Sequence, residues 1–344
     1  MNDRPVRTFA AAALALIAII ARPAMAGTLS EVVFSTYSPL SSNTELARRM
    51  LTPLTAAKLP QLLAGSGKTL SAQPVDLAQE MFLLFVPSGK PSQGYGLLVF
   101  VPPWRAGKMP EGWADVLDED GVIFVSAENS GNDASPLGRR EPLAVLAEQN
   151  VVARYPVDPE HIFAGGFSGG SRIALRVALG YPDLFRGAML DAGSDPIGNA
   201  SAPIPPKDLF VRFQEKSQIV FLTGDHDIYI RQTDLASMHS LQDWCVFNLA
   251  HLSISGTGHD SAPASDFARA LGMLLRPQPL DSAQLAPCRA SVAAQMDAQL
   301  QSAQSFFAAG RRDEARTQLN AIDARFGSLA APQTIELAQA LAAQ

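Results

Sequence analysis

Cysteine is scarce in this chain of 344 residues, which contains only Cys245 and Cys288. Neither has a second cysteine or a histidine at the short, repeated spacing of a zinc site, so the sequence predicts no metal centre. Two cysteines in an oxidising compartment are expected to form one disulfide, and two buried thiols are the alternative. A Cys245–Cys288 bond would tie a strand region to the segment that enters the C-terminal helices.

Concentrated positive charge is also absent. The chain carries 27 Lys and Arg residues against 33 Asp and Glu residues, which gives a formal net charge of −6. The basic residues are scattered, and their tight pairs are Arg48-Arg49, Arg139-Arg140 and Arg311-Arg312. Proteins that bind nucleic acids carry a basic patch on one face or along one helix. We therefore expect no nucleic-acid partner.

The N-terminal apolar segment falls short of the length that a membrane span needs. It covers residues 9–21, whereas a spanning helix takes about 20 residues. Arg4 and Arg7 precede it and Ala24-Met25-Ala26 follows it, which is the pattern of a secretory signal peptide. We expect removal of residues 1–26 and a periplasmic or secreted protein without stable membrane insertion. The run length disfavours the alternative, an uncleaved anchor.

Apolar residues are plentiful overall, because 47% of the chain is hydrophobic and only 17% is charged. From residue 121 onward, apolar strands bounded by Gly, Pro and Asp alternate with helices. This alternation predicts an α/β fold, a mostly parallel central sheet with helices on both faces. The strands are expected at 121–127, 161–167, 186–194, 217–225 and within 245–259, and the helices at 140–155, 171–181, 235–244 and 265–275.

The part before residue 121 is predicted to add strands and one helix. Residues 29–38 form an expected edge strand, and 75–87 and 95–104 are expected to be neighbouring strands joined by a turn-rich segment. The stretch 43–65 is helical in pattern, although Pro53 and Pro60 must break or kink it. All of these elements are assigned to one α/β domain, residues 27–276.

The C-terminal part differs in composition. A linker rich in Pro and Gln is expected at 277–288, followed by an Ala-rich helical segment, 289–344, in which Gly310 separates two helices. This arrangement is similar to a single tetratricopeptide-type hairpin, and one such unit cannot bury its apolar face alone. We expect it to pack on the main domain. Self-association or binding of a protein partner through 289–344 is the alternative.

Four glycines surround Ser168 in the stretch AGGFSGGSR, residues 164–172. Gly166 and Gly170 complete the motif G-x-S-x-G between a predicted strand and a predicted helix. In this motif the serine lies on a sharp, strained turn, and the two glycine positions come too close to each other for side chains. The amide of Gly169, at the helix N-terminus, would donate to an oxyanion. The pattern predicts a nucleophilic serine rather than a flexible loop.

A serine nucleophile needs a base and an acid, which follow this motif in the order acid, then histidine. Two carboxylates, Asp225 and Asp227, stand at the end of the next strand but one. In hydrolases that carry this motif the acid commonly stands three residues after the glycine at this strand end, which favours Asp227 after Gly224, and Asp225 is the alternative acid. Asp191 and Asp195, beyond the preceding strand, are lesser alternatives.

The predicted base is His259. It stands in a glycine-rich loop between a strand and a helix, from which it can reach across the strand ends. The other histidines begin a strand, lie between the two aspartates, or fall within a helix or a strand, where structural histidines are usual. These are His161, His226, His239 and His251.

A second oxyanion donor is expected after the strand that ends FVPPW. Pro102 and Pro103 have no N–H, so the Trp104 amide is the candidate donor. Its indole is expected either to line the pocket or to pack under the loop. The other residues expected at the pocket are Asn129, Asn132 and Phe167.

The stretch 157–194 resembles the exported polyhydroxybutyrate depolymerases and feruloyl esterases of the α/β-hydrolase superfamily. It shares their V-D-P before the strand, the G-x-S-x-G turn, Y-P-D-L-F-R-G-A and a closing A-G. The resemblance covers roughly residues 75–275 and implies an α/β-hydrolase fold and a serine esterase with Ser168, Asp227 and His259 as its triad. The chain departs from the family in having two prolines where His-Gly is usual.

These features predict a hydrolase of small-molecule or oligomeric carboxylic esters that works through an acyl-enzyme, without a metal or organic cofactor. A serine peptidase on the same fold is an alternative, because the motif around the serine does not distinguish ester from amide. The second alternative is a non-catalytic protein that binds a partner through its helical tail. An intact Ser, Asp and His set disfavours it.

Overall fold

The computed structural model describes residues 27–65, 67, 69–277 and 282–343. The predicted signal peptide, residues 1–26, lies outside the described residues, as do residues 278–281 of the predicted linker. Within the described ranges, no helix combines the length and apolar character needed to cross a membrane.

A single eight-stranded sheet forms the centre of the chain, in the order β1-β2-β4-β3-β5-β6-β7-β8. Strands β1 and β2 run antiparallel to their neighbours, and all other pairs are parallel. This order is that of the α/β-hydrolase fold, which confirms the predicted fold class. The strands are β1 (Thr28–Val33), β2 (Met81–Val86), β3 (Tyr95–Val101), β4 (Val122–Ala127), β5 (Val157–Phe167), β6 (Gly187–Asp191), β7 (Gln218–Gly224) and β8 (Leu249–Ile254).

Helices cover both faces of the sheet, so the central strands β3, β4, β6 and β7 are buried along their whole length. This double cover explains their continuously apolar sequences. The helices are α1 (Asn43–Met50), α2 (Pro53–Gly65), α3 (Trp113–Asp120), α4 (Glu141–Arg154), α5 (Gly169–Gly180), α6 (Lys207–Lys216), α7 (Ile228–Asp243), α8 (Ala264–Leu275), α9 (Leu285–Ala308), α10 (Arg312–Phe326) and α11 (Gln333–Ala342).

Three expectations for these elements need correction. The strands predicted at 75–87 and 95–104 are not neighbours, because β4 lies between β2 and β3. The predicted helix 43–65 is two helices, with Pro53 as the first residue of the second, where its missing N–H costs nothing. Helices α3 and α6 were not predicted, because both are short and rich in charged residues.

The face of the sheet that α3 and α8 cover is held by aromatic packing. The rings of Trp113 and Phe267 stack with their centroids 3.8 Å apart, and both side chains are fully buried. The Trp113 indole also donates a hydrogen bond to the carbonyl of Ala262, at 2.9 Å. Because Ala262 belongs to the loop that carries His259, this packing fixes one side of the functional site.

The C-terminal helices pack on the α/β domain. Asp323 of α10 accepts a hydrogen bond from the amide of Leu54 at the start of α2, at 3.1 Å. The ring of Phe326 meets the ring of Trp244 edge-on, with centroids 5.9 Å apart. Apolar side chains of α9 and α10 belong to the same core as one face of the sheet. The segment therefore has three helices rather than a two-helix hairpin, and α9 already begins at Leu285, within the predicted linker.

Cys245 and Cys288 form a disulfide. It joins Cys245, two residues after the end of α7, to Cys288 in the first turn of α9. The bond therefore fastens the C-terminal helices to the α/β domain, beside the buried Trp244.

Candidate active site

Ser168 stands on the turn between β5 and α5, at the carboxyl end of the sheet. Its backbone has φ 54° and ψ −121°, a conformation that a residue with a side chain adopts only under strain. Such strain persists where the surrounding structure enforces it, and it is concentrated at functional sites. The backbone amide of Ser168 donates a hydrogen bond to the Asp191 carbonyl at 2.8 Å, which fixes the turn to the end of β6.

The glycines beside Ser168 are required by close backbone contacts. A β-carbon at Gly166 would lie 2.3 Å from the carbonyl carbon of Gly170. One at Gly170 would lie 1.9 Å from the carbonyl oxygen of Val101, at the end of β3. Both distances are far below van der Waals contact, so only glycine fits. At Gly165, in contrast, the β-carbon would meet only the side chains of Leu98 and Phe100.

Ser168, His259 and Asp227 form a continuous chain of hydrogen-bonding contacts. His259 Nε2 lies 2.8 Å from the Ser168 hydroxyl, and His259 Nδ1 lies 2.6 Å from the Asp227 carboxylate. Asp227 is also the N-cap of α7, where it accepts a bond from the Ile230 amide at 3.3 Å. The capping bond orients the carboxylate, and the carboxylate orients the imidazole, so Nε2 faces the serine hydroxyl.

Asp225, the alternative acid, points elsewhere. It accepts hydrogen bonds from the Gly256 amide at 2.8 Å and the Ser255 hydroxyl at 3.3 Å, and so it closes the turn after β8. His226 is exposed, and its only ion contact among the described residues is with Asp225, at 3.7 Å.

A buried carboxylate supports the loop of His259 from below. The Asp191 carboxylate accepts a hydrogen bond from the Ala262 amide at 2.9 Å. Asp191 is completely buried at the end of β6, and burial raises its pKa to about 8, with a further contribution from Asp234. Asp191 therefore anchors the loop and does not contact the imidazole.

A second buried carboxylate lies behind Asp227. Asp234 of α7 accepts bonds from the hydroxyls of Ser194 at 2.6 Å and Thr223 at 2.7 Å. Burial raises its pKa to about 6, and the neighbouring Asp227 charge adds to the rise. His251, on β8, reaches the same Thr223 hydroxyl at 3.3 Å. The sequence analysis did not identify Asp234, which occupies an ordinary polar position in a helical pattern.

The remaining histidines lie away from Ser168. His161 contacts Asp158 at 2.8 Å and the Leu275 carbonyl at 3.2 Å, at the opposite end of β5. His239 is exposed on α7.

Two aromatic side chains lie near the imidazole. The Phe167 ring lies 5.2 Å from the His259 ring, and the Trp104 ring lies 5.9 Å from the Phe167 ring, both in tilted arrangements. The indole N–H of Trp104 is buried without a hydrogen-bond partner. Phe167 therefore packs beside the imidazole and Trp104 packs on Phe167, whereas neither lines the pocket beside Ser168.

The two asparagines proposed for the pocket have different positions. Asn132 lines the pocket, and a β-carbon on Gly169 would lie 2.2 Å from its side-chain oxygen. Asn129 lies outside the pocket. It occupies a left-handed turn with φ 51°, and its carbonyl accepts a bond from Arg139 at 2.7 Å. Its role is to shape the loop.

Arginines line the pocket at Ser168, which has a volume of about 540 Å³. Arg172 and Arg176 follow Ser168 along one face of α5, and Arg140 comes from the start of α4. The lining also includes Asp195 and the exposed Tyr229. Sequence reasoning missed the three arginines, because nothing local in their surroundings marks them. Among the described residues, no group of His, Cys, Asp and Glu is arranged to hold a metal ion.

Comparisons with known proteins give short or distant matches. No family model matches the chain. The "Putative esterase NocK" of Nocardia uniformis subsp. tsuyamanensis is 41% identical over 71 residues, which are 20% of each protein. The chain thus matches one fifth of the length of that curated relative.

Solved structures resemble part of the chain. S-formylglutathione hydrolase FrmB of Staphylococcus aureus has a TM-score of 0.47 and 12% identity, covering 57% of this chain and 93% of that one. Acetyl xylan esterase of Aspergillus awamori has a TM-score of 0.44 and 12% identity, covering 56% and 94%. Dipeptidyl peptidase 4 of Porphyromonas gingivalis has a TM-score of 0.43 and 13% identity, covering 58% and 34%. Similarity of this extent carries no information on substrate.

Proposed function

We propose that this protein is an exported serine hydrolase that cleaves carboxylic esters. Ser168 is the nucleophile, His259 is the general base, and Asp227 orients the imidazole. The observation that carries this proposal is the hydrogen-bonded chain from Asp227 through His259 to Ser168, whose serine lies on a strained turn. A serine hydroxyl becomes a useful nucleophile only when a positioned base can take its proton.

The first half of the reaction transfers the acyl group to the enzyme. His259 Nε2 takes the proton of the Ser168 hydroxyl while the oxygen attacks the ester carbonyl. A tetrahedral oxyanion forms, and the Asp227 carboxylate stabilises the imidazolium. The imidazolium then gives its proton to the departing alcohol as the ester C–O bond breaks, leaving an acyl-serine.

The second half releases the acid. A water molecule gives a proton to His259 and attacks the acyl carbonyl. The imidazolium returns that proton to the Ser168 oxygen as the acyl–serine bond breaks. The resting enzyme is regenerated without a cofactor.

The oxyanion is held by the amides of Gly169 and Trp104. Gly169 is the first residue of α5, so its N–H has no partner within the helix. Gly170 lies against Val101 and Pro102 at the end of β3, which brings the loop of Trp104 beside the start of α5. Since Pro102 and Pro103 lack an N–H, Trp104 offers the first amide of that loop.

Export is part of the same proposal. The disulfide Cys245–Cys288 supports it, because such bonds persist in oxidising compartments. The signal-peptide pattern before Gly27 supports it as well. Fractionation of the native host with N-terminal sequencing tests it: a chain in the periplasm or medium that begins near Gly27 is expected, and an intact chain in the cytoplasm would refute it.

Turnover assays test the activity. We expect the purified protein to hydrolyse 4-nitrophenyl acetate and butyrate, and Ser168→Ala to reduce kcat by at least about 10³-fold. Aminoacyl 4-nitroanilides provide the comparison with peptidase activity, and we expect them to be poorer substrates. A Ser168→Ala protein as active as wild type would end the proposal. Faster turnover of anilides than esters would replace it with a peptidase.

A further inference from the structure

The pocket at Ser168 holds three guanidinium groups whose charges are unequally balanced. Arg176 Nε lies 2.8 Å from the fully buried Glu141 carboxylate, a close ion contact without hydrogen-bond geometry. Arg172 has only a loose contact with Asp195, at 3.5 Å, and its Nε–H is buried without a hydrogen-bond partner. Asp227, the other carboxylate of the lining, is already occupied by His259.

Arg140 has no carboxylate in direct contact in the described part of the chain. Its side chain is 4% exposed, and the nearby charges of Glu141 and Asp133 act on it without forming an ion pair among the described residues. Its hydrogen bonds go to two carbonyl oxygens, those of Ser130 and Pro102, each at 2.9 Å. These two bonds fix the orientation of the Arg140 guanidinium, and they leave its remaining N–H donors for a ligand. Burial lowers its pKa to about 10, so it stays charged at neutral pH.

A buried cation that contacts only carbonyl oxygens is costly, because burial removes hydration that carbonyl dipoles replace only in part. A bound anion would give this guanidinium a direct ionic partner. The position of Arg172 makes that anion the substrate. Arg172 lies in the first turn of α5, the helix that begins directly after Ser168, and lines the same pocket as the nucleophile.

From this arrangement we propose that Arg140 and Arg172 bind a carboxylate carried by the ester substrate. The favoured substrates are acidic esters, such as half-esters of dicarboxylic acids, rather than neutral esters. A planar carboxylate matches the paired donors of a guanidinium. This inference rests on the proposed ester hydrolysis at Ser168, and it adds the chemical class of the substrate.

Two matched pairs of esters test the inference with the wild-type protein. Mono-(4-nitrophenyl) glutarate and its methyl ester differ by one charge on the acyl side. The pair 4-acetoxybenzoate and methyl 4-acetoxybenzoate differs in the same way on the alcohol side. We expect kcat/KM to favour the acid over the neutral ester at least tenfold in one pair, and the preference to shrink as salt is added. Equal or lower kcat/KM for the acid in both pairs would overturn the inference and leave ester hydrolysis intact.

Variants assign the preference to the arginines. Arg172→Gln is expected to lower the ratio of acidic to neutral kcat/KM at least fivefold. Arg316→Gln, on the exposed surface of α10, is the matched control and should keep the wild-type ratio. If Arg172→Gln lowers kcat/KM equally for both esters of a pair, Arg172 has a structural role, and the result counts against carboxylate binding.

Binding of a dicarboxylate separates this inference from the proposed function. If no ester is hydrolysed, the proposed function fails, and the shift in Tm caused by glutarate is compared with that caused by glutaramide. A rise in Tm with glutarate alone, lost in Arg172→Gln, would uphold the carboxylate site. No difference between the two compounds would remove it.

Discussion

The carboxylate of Asp191 accepts a hydrogen bond from the amide of Ala262, three residues beyond His259, at 2.9 Å. The carbonyl of the same Ala262 accepts a bond from the indole of Trp113, also at 2.9 Å. The peptide groups on both sides of Ala262 are thus fixed by fully buried side chains. The position of the imidazole therefore depends on the core of the α/β domain as well as on Asp227.

Asp191 should make stability depend on pH. Its pKa is raised in the folded state to about 8, so between its unfolded value of about 3.9 and pH 8 the folded protein binds more protons than the unfolded protein. Stability must therefore fall as pH rises through that window and level off above it. Asp191→Asn keeps a carbonyl oxygen for Ala262 and cannot ionise.

The measurement for Asp191 is urea unfolding at pH 5 and pH 8. We expect the free energy of unfolding of wild type to fall between these values by several kcal/mol more than that of Asp191→Asn, up to about 4 kcal/mol for a folded pKa of about 8. Parallel pH profiles for the two proteins would contradict the assignment. The smaller rise of the Asp234 pKa, to about 6, acts in the same direction in both proteins.

Asp227 and Asp225 form a matched pair of substitutions. Asp227→Asn should lower kcat by about 10³- to 10⁴-fold, because the amide favours the wrong imidazole tautomer. Asp225→Asn should leave kcat close to wild type, since the side chain of Asp225 bonds to the turn at Ser255 and Gly256 and not to His259. Steady-state kinetics on one 4-nitrophenyl ester decides between them. The opposite order of effects would assign the acid to Asp225.

The glycines around Ser168 should differ in tolerance. Gly166→Ala and Gly170→Ala place a β-carbon 2.3 Å and 1.9 Å from backbone atoms, respectively. These atoms can move away only if the turn or the end of β3 is distorted. Gly165→Ala meets the Leu98 side chain at 2.8 Å, and a leucine methyl can turn away. We expect soluble yield or ester turnover to collapse in the first two variants and to persist in the third. Similar behaviour of all three variants would argue against a rigid turn.

The disulfide should support stability without serving the reaction. Removing it by Cys245→Ala with Cys288→Ala is expected to lower the free energy of unfolding by about 4 kcal/mol, the loop-closure value for a sequence separation of 43 residues. Turnover of 4-nitrophenyl acetate by the folded variant should stay near wild type, because neither cysteine lies at the pocket. Denaturant titration and kinetics on the same preparations check both parts. Lost turnover in a fully folded variant would contradict this division.

The parts of the site that are encoded locally could be predicted from the sequence. Ser168, Gly166 and Gly170 belong to one short motif whose spacing reflects contacts between adjacent turns. His259 could be selected because a glycine-rich loop between a strand and a helix suits a residue that must reach across strand ends. The sheet was predictable for the same reason, since its buried strands are continuously apolar.

Features set by long-range packing could not be predicted. The order of β2, β3 and β4 depends on which strands pair across the sheet, and β2 and β3 are neighbours in sequence but not in the sheet. From the sequence, Asp225 and Asp227 are equivalent carboxylates two residues apart in one loop. Asp227 faces His259 because it is the N-cap of α7, and that contact exists only in the folded chain. The pocket arginines come from α4 and α5, and their grouping exists only after folding.

Labelling with a fluorophosphonate probe tests the central claim most directly. The mature protein is treated with the probe, digested and analysed by mass spectrometry, with Ser168→Ala and His259→Ala as comparisons. The proposed mechanism predicts one adduct, on Ser168 in the peptide that contains GFSGG, absent in Ser168→Ala and greatly slowed in His259→Ala. An unlabelled wild-type protein, or equal labelling of wild type and Ser168→Ala, would contradict a nucleophilic serine at this turn.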